Sequence, residues 1–325
     1  MLAAAKIQTV PVHEERMVRT NGVELRTQAF GNPGDPALLL IMGATASMRR
    51  WPDAFCIGLA EAGRFVIRYD NRDTGRSTTF PPGAPGYLVC DMAADAVGVL
   101  DAYGVKHAHL AGYSMGGMIT QNVAIHYPDR IRSAFLLGTS PDGSAAGSAA
   151  SGAGKDSGAL ARPEEKIIEL MAFLSSVDWT DDAQAVEAWV REDMTLIGPG
   201  DEPEPEGSRA NATIMVREAR NILSHRRNHG IVVATSYWRD RLKDILTPTL
   251  VVHGNHDYIL PLDHAKAMAT EIPGARLMVV EGMGHVLSAT SRYWGVLADA
   301  LIAHTAHQQA NERSQVCLPG ERSNA

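Results

Sequence analysis

The stretch Leu110-Ala111-Gly112-Tyr113-Ser114-Met115-Gly116-Gly117 constrains the fold of this chain more than any other. It reads as an apolar strand that passes straight into a helix, Met118 to His126, with no residues left over for a loop. A reversal that sharp forces the central residue, Ser114, into a strained backbone conformation and lifts its hydroxyl above the end of the sheet. Gly112 and Gly116 answer the same demand, because a Cβ at either position would collide with the neighbouring strand or helix. The first amides of the new helix point at the same spot and favour an anion there.

The rest of the chain supplies a sheet for that turn. Ala37–Ile41, Phe65–Tyr69, Ala108–Ala111, Ser133–Leu137, Leu250–His253 and Leu277–Val280 are continuous apolar runs, as in strands buried on both faces. Between them lie segments of helical periodicity, with Met92, Ala96, Val99 and Tyr103 on one stripe and Tyr293, Leu297 and Leu301 on another. This alternation predicts an α/β fold with a mostly parallel central sheet flanked by helices. Met17 to Arg26 predicts an antiparallel hairpin in front of it, turning at Asn21-Gly22. Sites in such sheets lie at the carboxyl ends of the strands, which is where Ser114 falls.

The alternation stops between Ser140 and Leu246. Asp142 to Ala161 is rich in Gly, Ser and Ala and reads as a mobile connector. Helical stripes follow at Ile167, Leu170, Met171 and Leu174, then at Val186, Trp189 and Val190. An acidic Pro-Gly loop, Gly198 to Gly207, precedes a third helix over about Ser208 to His225. We therefore expect residues 1–141 and 245–305 to form the core, and 142–244 a helical cap inserted after the sixth strand. The polar residues 306–325 are expected to be a disordered tail.

Composition narrows the partners. The chain has 325 residues, 45% of them hydrophobic and 21% charged, with a net charge of −7. Such a balance provides a sizeable core and no basic footprint for nucleic acid or anionic membrane. Cys56, Cys90 and Cys317 are far apart and odd in number, which implies neither a disulfide framework nor a zinc site. Met1 to Pro11 carries one lysine and no sustained apolar run, unlike a signal peptide, and no stretch is long enough to span a bilayer. A cytoplasmic protein, monomer or homodimer, is expected.

A serine hydroxyl needs a base within hydrogen-bond reach, and the base needs an orienting acid. With a serine on this kind of turn, acid and then base follow in chain order. Leu250–Val252 is followed by His253-Gly254-Asn255-His256-Asp257, and Leu277–Val280 by Glu281-Gly282-Met283-Gly284-His285. Asp257 and His285 thus fall on loops just past buried strands, and with Ser114 they are the candidate catalytic residues. Asp142 is a rival acid past another strand end, but it opens a stretch that would fix it poorly. His253 reads as a core or turn residue. His256 beside Asp257 could ligate a metal, yet no third ligand of suitable spacing appears, so no metal is assigned. Backbone amides of Met115 and Ala44 are the candidate oxyanion donors, with Gly43 giving the second loop room to turn. Gly43, Tyr113, Met171 and Trp189 are the candidate substrate-binding residues, and Phe173, Trp179 and Met194 are further apolar side chains of the cap.

Gly112-Tyr113-Ser114-Met115-Gly116-Gly117, Asp257 and Gly282-Met283-Gly284-His285 resemble the α/β-hydrolase superfamily. Trp51-Pro52-Asp53 and Tyr69-Asp70-Asn71-Arg72-Asp73-Thr74-Gly75-Arg76-Ser77 are similar to that family's corresponding loops. The loop at Leu40–Gly43, the Arg72–Ser77 run and Gly282–His285 look most like the aclacinomycin methylesterase group, which removes a methyl ester from an anthracycline. The resemblance covers about residues 15–141 and 245–305. It implies the α/β-hydrolase fold and a serine esterase with a helical cap that needs no cofactor. Two features depart from the pattern. Met42 stands where many relatives have His, and the cap does not visibly follow that of the methylesterases. The reading is a serine hydrolase acting on a small-molecule carboxylic ester. A lactonase, amidase or peptidase, perhydrolase or carbon–carbon hydrolase would use the same three residues, and a non-catalytic receptor would keep only the fold.

Overall fold

The computed structural model describes residues 10–141, 143, 160, 161 and 163–316, with 307–316 as backbone alone. Strand β1 (Arg16–Thr20) turns into β2 (Val23–Phe30) through Asn21 and Gly22, at φ 46° and 75°. Both central residues of a two-residue hairpin turn need positive φ, which Asn and Gly tolerate best. The chain continues through β3 (Ala37–Ile41), α1 (Asp53–Glu61), β4 (Phe65–Tyr69), α2 (Val89–Ala102), β5 (Ala108–Tyr113), α3 (Met115–His126) and β6 (Ile131–Leu137). Among the described residues the chain then gives α4 (Glu165–Ser176), α5 (Asp182–Leu196), α6 (Pro205–Glu218) and α7 (Ile222–Ala234). The sheet then resumes with β7 (Thr249–Gly254), α8 (Asp263–Glu271), β8 (Arg276–Val280) and α9 (Tyr293–Val316).

The eight strands form one sheet in the order β1-β2-β4-β3-β5-β6-β7-β8. Pairings are antiparallel from β1 to β4 and parallel from there to β8. Strand residues alternate between two cores. Leu39 and Ile41 of β3 pack with Met92, Ala96 and Ile119 of α2 and α3, whereas Leu38 and Leu40 pack with Phe55, Leu59 and Leu297 of α1 and α9. Each fully buried side chain of this kind contributes about 1.5–3 kcal/mol. Because β3 lies between β4 and β5, the loops leaving β3 and β5 diverge to opposite faces and open a crevice at their carboxyl ends.

Three expectations need correction. Leu277–Val280 is not buried on both faces. As β8 it is the sheet edge, and Val279 is 43% exposed. The third helix expected over 208–225 is two, because the chain breaks after Glu218 and Asn221 caps α7 by accepting hydrogen bonds from the amides of Leu223 and Ser224. The terminal helix α9 runs on to Val316, past the end expected for the ordered core, through a stretch of good helix formers such as Ala, Gln, Glu and Arg. The Gly-Ser-Ala connector lies outside the described residues apart from Gly143, Leu160 and Ala161, as does 317–325. No described helix is long and apolar enough to cross a membrane.

The inserted helices α4–α6 have an apolar cluster of their own, built on Leu170, Leu174, Trp189 and Met215, while Val232 of α7 packs in the core shared with α2 and α3. Ion pairs tie them to the sheet. Asp193 of α5 accepts two hydrogen bonds from Arg50, at 2.8 and 2.9 Å. Glu218, at the end of α6, accepts from Arg26 at 2.5 Å and from Arg49 at 2.9 Å. Burial pushes the Glu218 carboxyl up, but the hydrogen bonds and charges of Arg26 and Arg49 outweigh it and hold it at about 2 against an ordinary 4.5. A depressed carboxylate contributes stability above its unfolded value and loses it as pH falls through the folded one. Thermal unfolding of the wild type should therefore lose stability between about pH 4.5 and 2 through this group. Glu218→Gln should flatten that slope and, by leaving Arg26 buried with one partner fewer, cost about 3 kcal/mol at neutral pH. A variant with the wild-type pH slope would assign the acid sensitivity to other carboxylates.

Candidate active site

The turn at Ser114 has the strain that the sequence demands. Its backbone sits at φ 53°, ψ −121°, a region side chains rarely enter. The conformation is held from three sides. The Ser114 amide donates to Leu137 at 2.9 Å, its carbonyl accepts from Thr139 Oγ1 at 2.7 Å, and α3 begins with bonds from Gly117 and Met118 to the same carbonyl. A Cβ on Gly112 would strike the Gly116 carbonyl, and one on Gly116 would strike the carbonyl of Ile41 in β3.

His285 and Asp257 meet Ser114 from the loops after β8 and β7. The imidazole Nε2 lies 3.2 Å from Ser114 Oγ, and Nδ1 lies 2.6 Å from Asp257 Oδ2. A carboxylate only accepts, so Nδ1 carries the proton and Nε2 is left to accept from the serine. The other carboxylate oxygen accepts from the amides of Leu260 at 2.8 Å and Ile259 at 3.1 Å, which fixes the acid. Burial alone would raise the Asp257 carboxyl. The charge and hydrogen bond of His285 outweigh it, and Asp257 stays below the ordinary carboxylate range. His253 is a buried core residue whose Nε2 donates to the Leu260 carbonyl at 2.7 Å, and His256 turns to Asn255. Among the described residues no group of three or more His, Cys, Asp or Glu is placed to hold a metal ion. Asp142, the rival acid, lies outside the described residues.

The loop after β3 closes the other side. Gly43 packs so tightly on the serine that a Cβ there would lie 2.9 Å from Ser114 Cβ. Ala44 and Met115, whose amides are the candidate oxyanion donors, both line the same cavity of about 550 Å³. As the first residue of α3, Met115 has an amide with no acceptor in its own helix. Gly43, Tyr113, Met171 and Trp189 all line this cavity, as does Trp179. Phe173 and Met194 do not: Phe173 lies under the Arg191 guanidinium, and Met194 faces a small separate cleft. Tyr113 has a second task, since its hydroxyl donates to the carbonyl of His285.

Several residues that hold these groups were not visible in the sequence. Leu196, at the end of α5, accepts from the amides of His285 and Val286 at 3.0 and 3.2 Å. The chain at Gly198 crosses so close to Gly284 that neither tolerates a Cβ, which accounts for a glycine just before His285. Asn71 donates to the Met42 carbonyl at 3.0 Å, and His229 of α7 accepts from the Thr45 amide at 3.0 Å. Asn71 falls in the run already singled out by resemblance, and that was the one available signal. Nothing in the polar stretch around His229 marks it.

A mostly parallel sheet that gathers a serine, an aspartate and a histidine at its carboxyl end, from the loops after β5, β7 and β8, has the architecture of an α/β hydrolase. The family profile described as "alpha/beta hydrolase fold" matches residues 36–158, and one described as "TAP-like protein" matches 229–294. Rhodomycin D methylesterase DauP from Streptomyces sp. (strain C5) is 34% identical over 294 residues, covering 89% of this chain and 97% of its own length. Rhodomycin D methylesterase DnrP from Streptomyces peucetius is 33% identical with the same coverage. The solved 2-hydroxy-6-oxo-6-phenylhexa-2,4-dienoate hydrolase from Rhodococcus sp. strain RHA1 superposes with a TM-score of 0.70 at 22% identity, over 92% of this chain and 100% of that one. The chain belongs to the α/β-hydrolase family, and it is an enzyme of that hydrolase class.

Proposed function

We propose that this protein is a serine esterase that cleaves a small alcohol, methanol in the first instance, from a medium-sized apolar acid. The observation that carries the reading is the continuous chain from Ser114 Oγ through His285 to Asp257, with bonds of 3.2 and 2.6 Å, whose serine and histidine line a cavity of about 550 Å³. Ser114 Oγ attacks the ester carbonyl while His285 Nε2 takes its proton, and Asp257 stabilises the imidazolium that results. The amides of Met115 and Ala44 receive the charge on the carbonyl oxygen as the tetrahedral intermediate forms. His285 returns the proton to the leaving alcohol, and water, activated by the same imidazole, releases the acid from Ser114.

The methylesterase relatives support the small alcohol, and the walls support the apolar acid. Met118, Val233, Met171, Leu174, Trp179 and Trp189 line the cavity, whose volume of about 550 Å³ suits a compact ring system and not a triglyceride. Methionine side chains adapt to varied ligand shapes. Steady-state kinetics on methyl, butyl and long-chain esters of matched acids test the proposal. The highest kcat/KM should fall on methyl esters of medium-sized apolar acids, with emulsified long-chain lipid turned over least. Preference for long-chain lipid, or for peptides over esters, would overturn it.

A further inference from the structure

We propose that His229, carried by the inserted helix α7, is a positioning residue for the loop that presents the Ala44 amide, so that the oxyanion site is complete only while the insert is docked. This rests on the serine-esterase reading and assigns His229 a part in that same site.

The loop Met42–Thr45 leaves the sheet in a conformation that it cannot hold by itself. Thr45 is a non-glycine residue at φ 52°, where a branched side chain is disfavoured. One end of the loop is tied to the core, where Asn71 donates to the Met42 carbonyl at 3.0 Å. The other end is tied to the insert. The Thr45 amide donates to His229 Nδ1 at 3.0 Å, and His229 Nε2 donates to the Arg72 carbonyl at 2.7 Å. The ring is fully buried, and both partners are backbone groups of fixed role, so one neutral tautomer satisfies the site and no other does. Helix α7 is itself seated by the neighbouring Asn228, which donates to Asp73 at 2.9 Å and accepts from the Gly83 amide at 2.7 Å. Arg226, one helical turn earlier, reaches Thr45 Oγ1 at 3.3 Å.

An oxyanion donor works only when it is aimed at the atom that becomes charged, and a displacement of about an ångström costs roughly 10²-fold in rate. If α7 lifts, Thr45 loses its acceptor and the peptide planes on either side of Ala44 are free to rotate. The cavity would then admit substrate without being able to turn it over. Closure of the insert and assembly of the oxyanion site become one event.

Three substitutions separate this from a merely structural histidine. His229→Asn keeps an acceptor close to Nδ1 and loses the Arg72 bond. His229→Gln keeps a donor close to Nε2 and loses the Thr45 bond. His229→Phe fills the space and loses both. With a short p-nitrophenyl ester, kcat should fall about 10²-fold in the Gln and Phe variants with KM within about twofold, and the Asn variant should retain kcat within a few-fold of wild type. Labelling of Ser114 by a fluorophosphonate, which also needs the oxyanion site, should slow in the same order when normalised to the folded fraction, so partial unfolding does not blur the result. Wild-type kcat in the Gln and Phe variants, or equal losses in Asn and Gln, would overturn the proposal. Failure of the underlying esterase reading is visible separately, as turnover that survives Ser114→Ala.

Discussion

Ser114→Ala should abolish ester turnover and leave the fold unchanged, with kcat lower by about 10⁴–10⁶, the scale of triad knockouts in other serine hydrolases. The side chain lost is one hydroxyl on the lining of a cavity, and the bonds that hold the turn come from backbone atoms of Ser114 and from Thr139 and Leu137. Unfolding midpoints of the two proteins should therefore agree closely. Mass spectrometry of the wild type after a fluorophosphonate should find one adduct, on Ser114. Substantial residual turnover in the variant, or an adduct on another residue, would remove Ser114 from the reaction.

The second large effect is expected at the acid. Asp257→Asn should lower kcat by about 10⁴ with little change in KM, because the amide that replaces the carboxylate stabilises the wrong imidazole tautomer. Asp257 Oδ2 accepts from His285 Nδ1 at 2.6 Å, whereas an amide NH₂ there would donate to Nδ1 and move the proton to Nε2, facing the serine. The imidazole could then no longer accept the serine proton. Asp142→Asn should be nearly silent in the same assay. The reverse pattern would move the acid to the end of the sixth strand and place the enzyme in another branch of its family.

The sheet was legible because its strands are buried on both faces and declare themselves as uninterrupted apolar runs, as at Leu38–Ile41 and Val251–Val252. Periodicity does not reveal where a sheet stops. Leu277–Val280 looks like an interior strand and is an edge, because an apolar run does not state how many neighbours it will have. The break between α6 and α7 was hidden for another reason. Arg217 to Asn221 carries no Gly or Pro, and the end is made by the Asn221 cap and the ion pairs of Glu218, which need distant partners to favour a stop over another helical turn.

The candidate catalytic groups and the groups that hold them differ in the same way. By itself the sequence determined the strand-to-helix turn at Ser114 and the placing of Asp257 and His285 just past the ends of two strands. These depend on local backbone geometry and on the direction in which a parallel sheet points its loops. Tertiary structure alone decided what grips those loops. Asn71 and His229 hold the ends of Met42–Thr45 from two different elements, Leu196 holds the amide of His285, and Gly198 passes against Gly284. Each of these contacts joins residues remote along the chain through a backbone group, and a backbone group leaves no mark on the identity of the residue that bears it. Only the packing of the strand-end loops on one another and of the insert onto them selects these contacts.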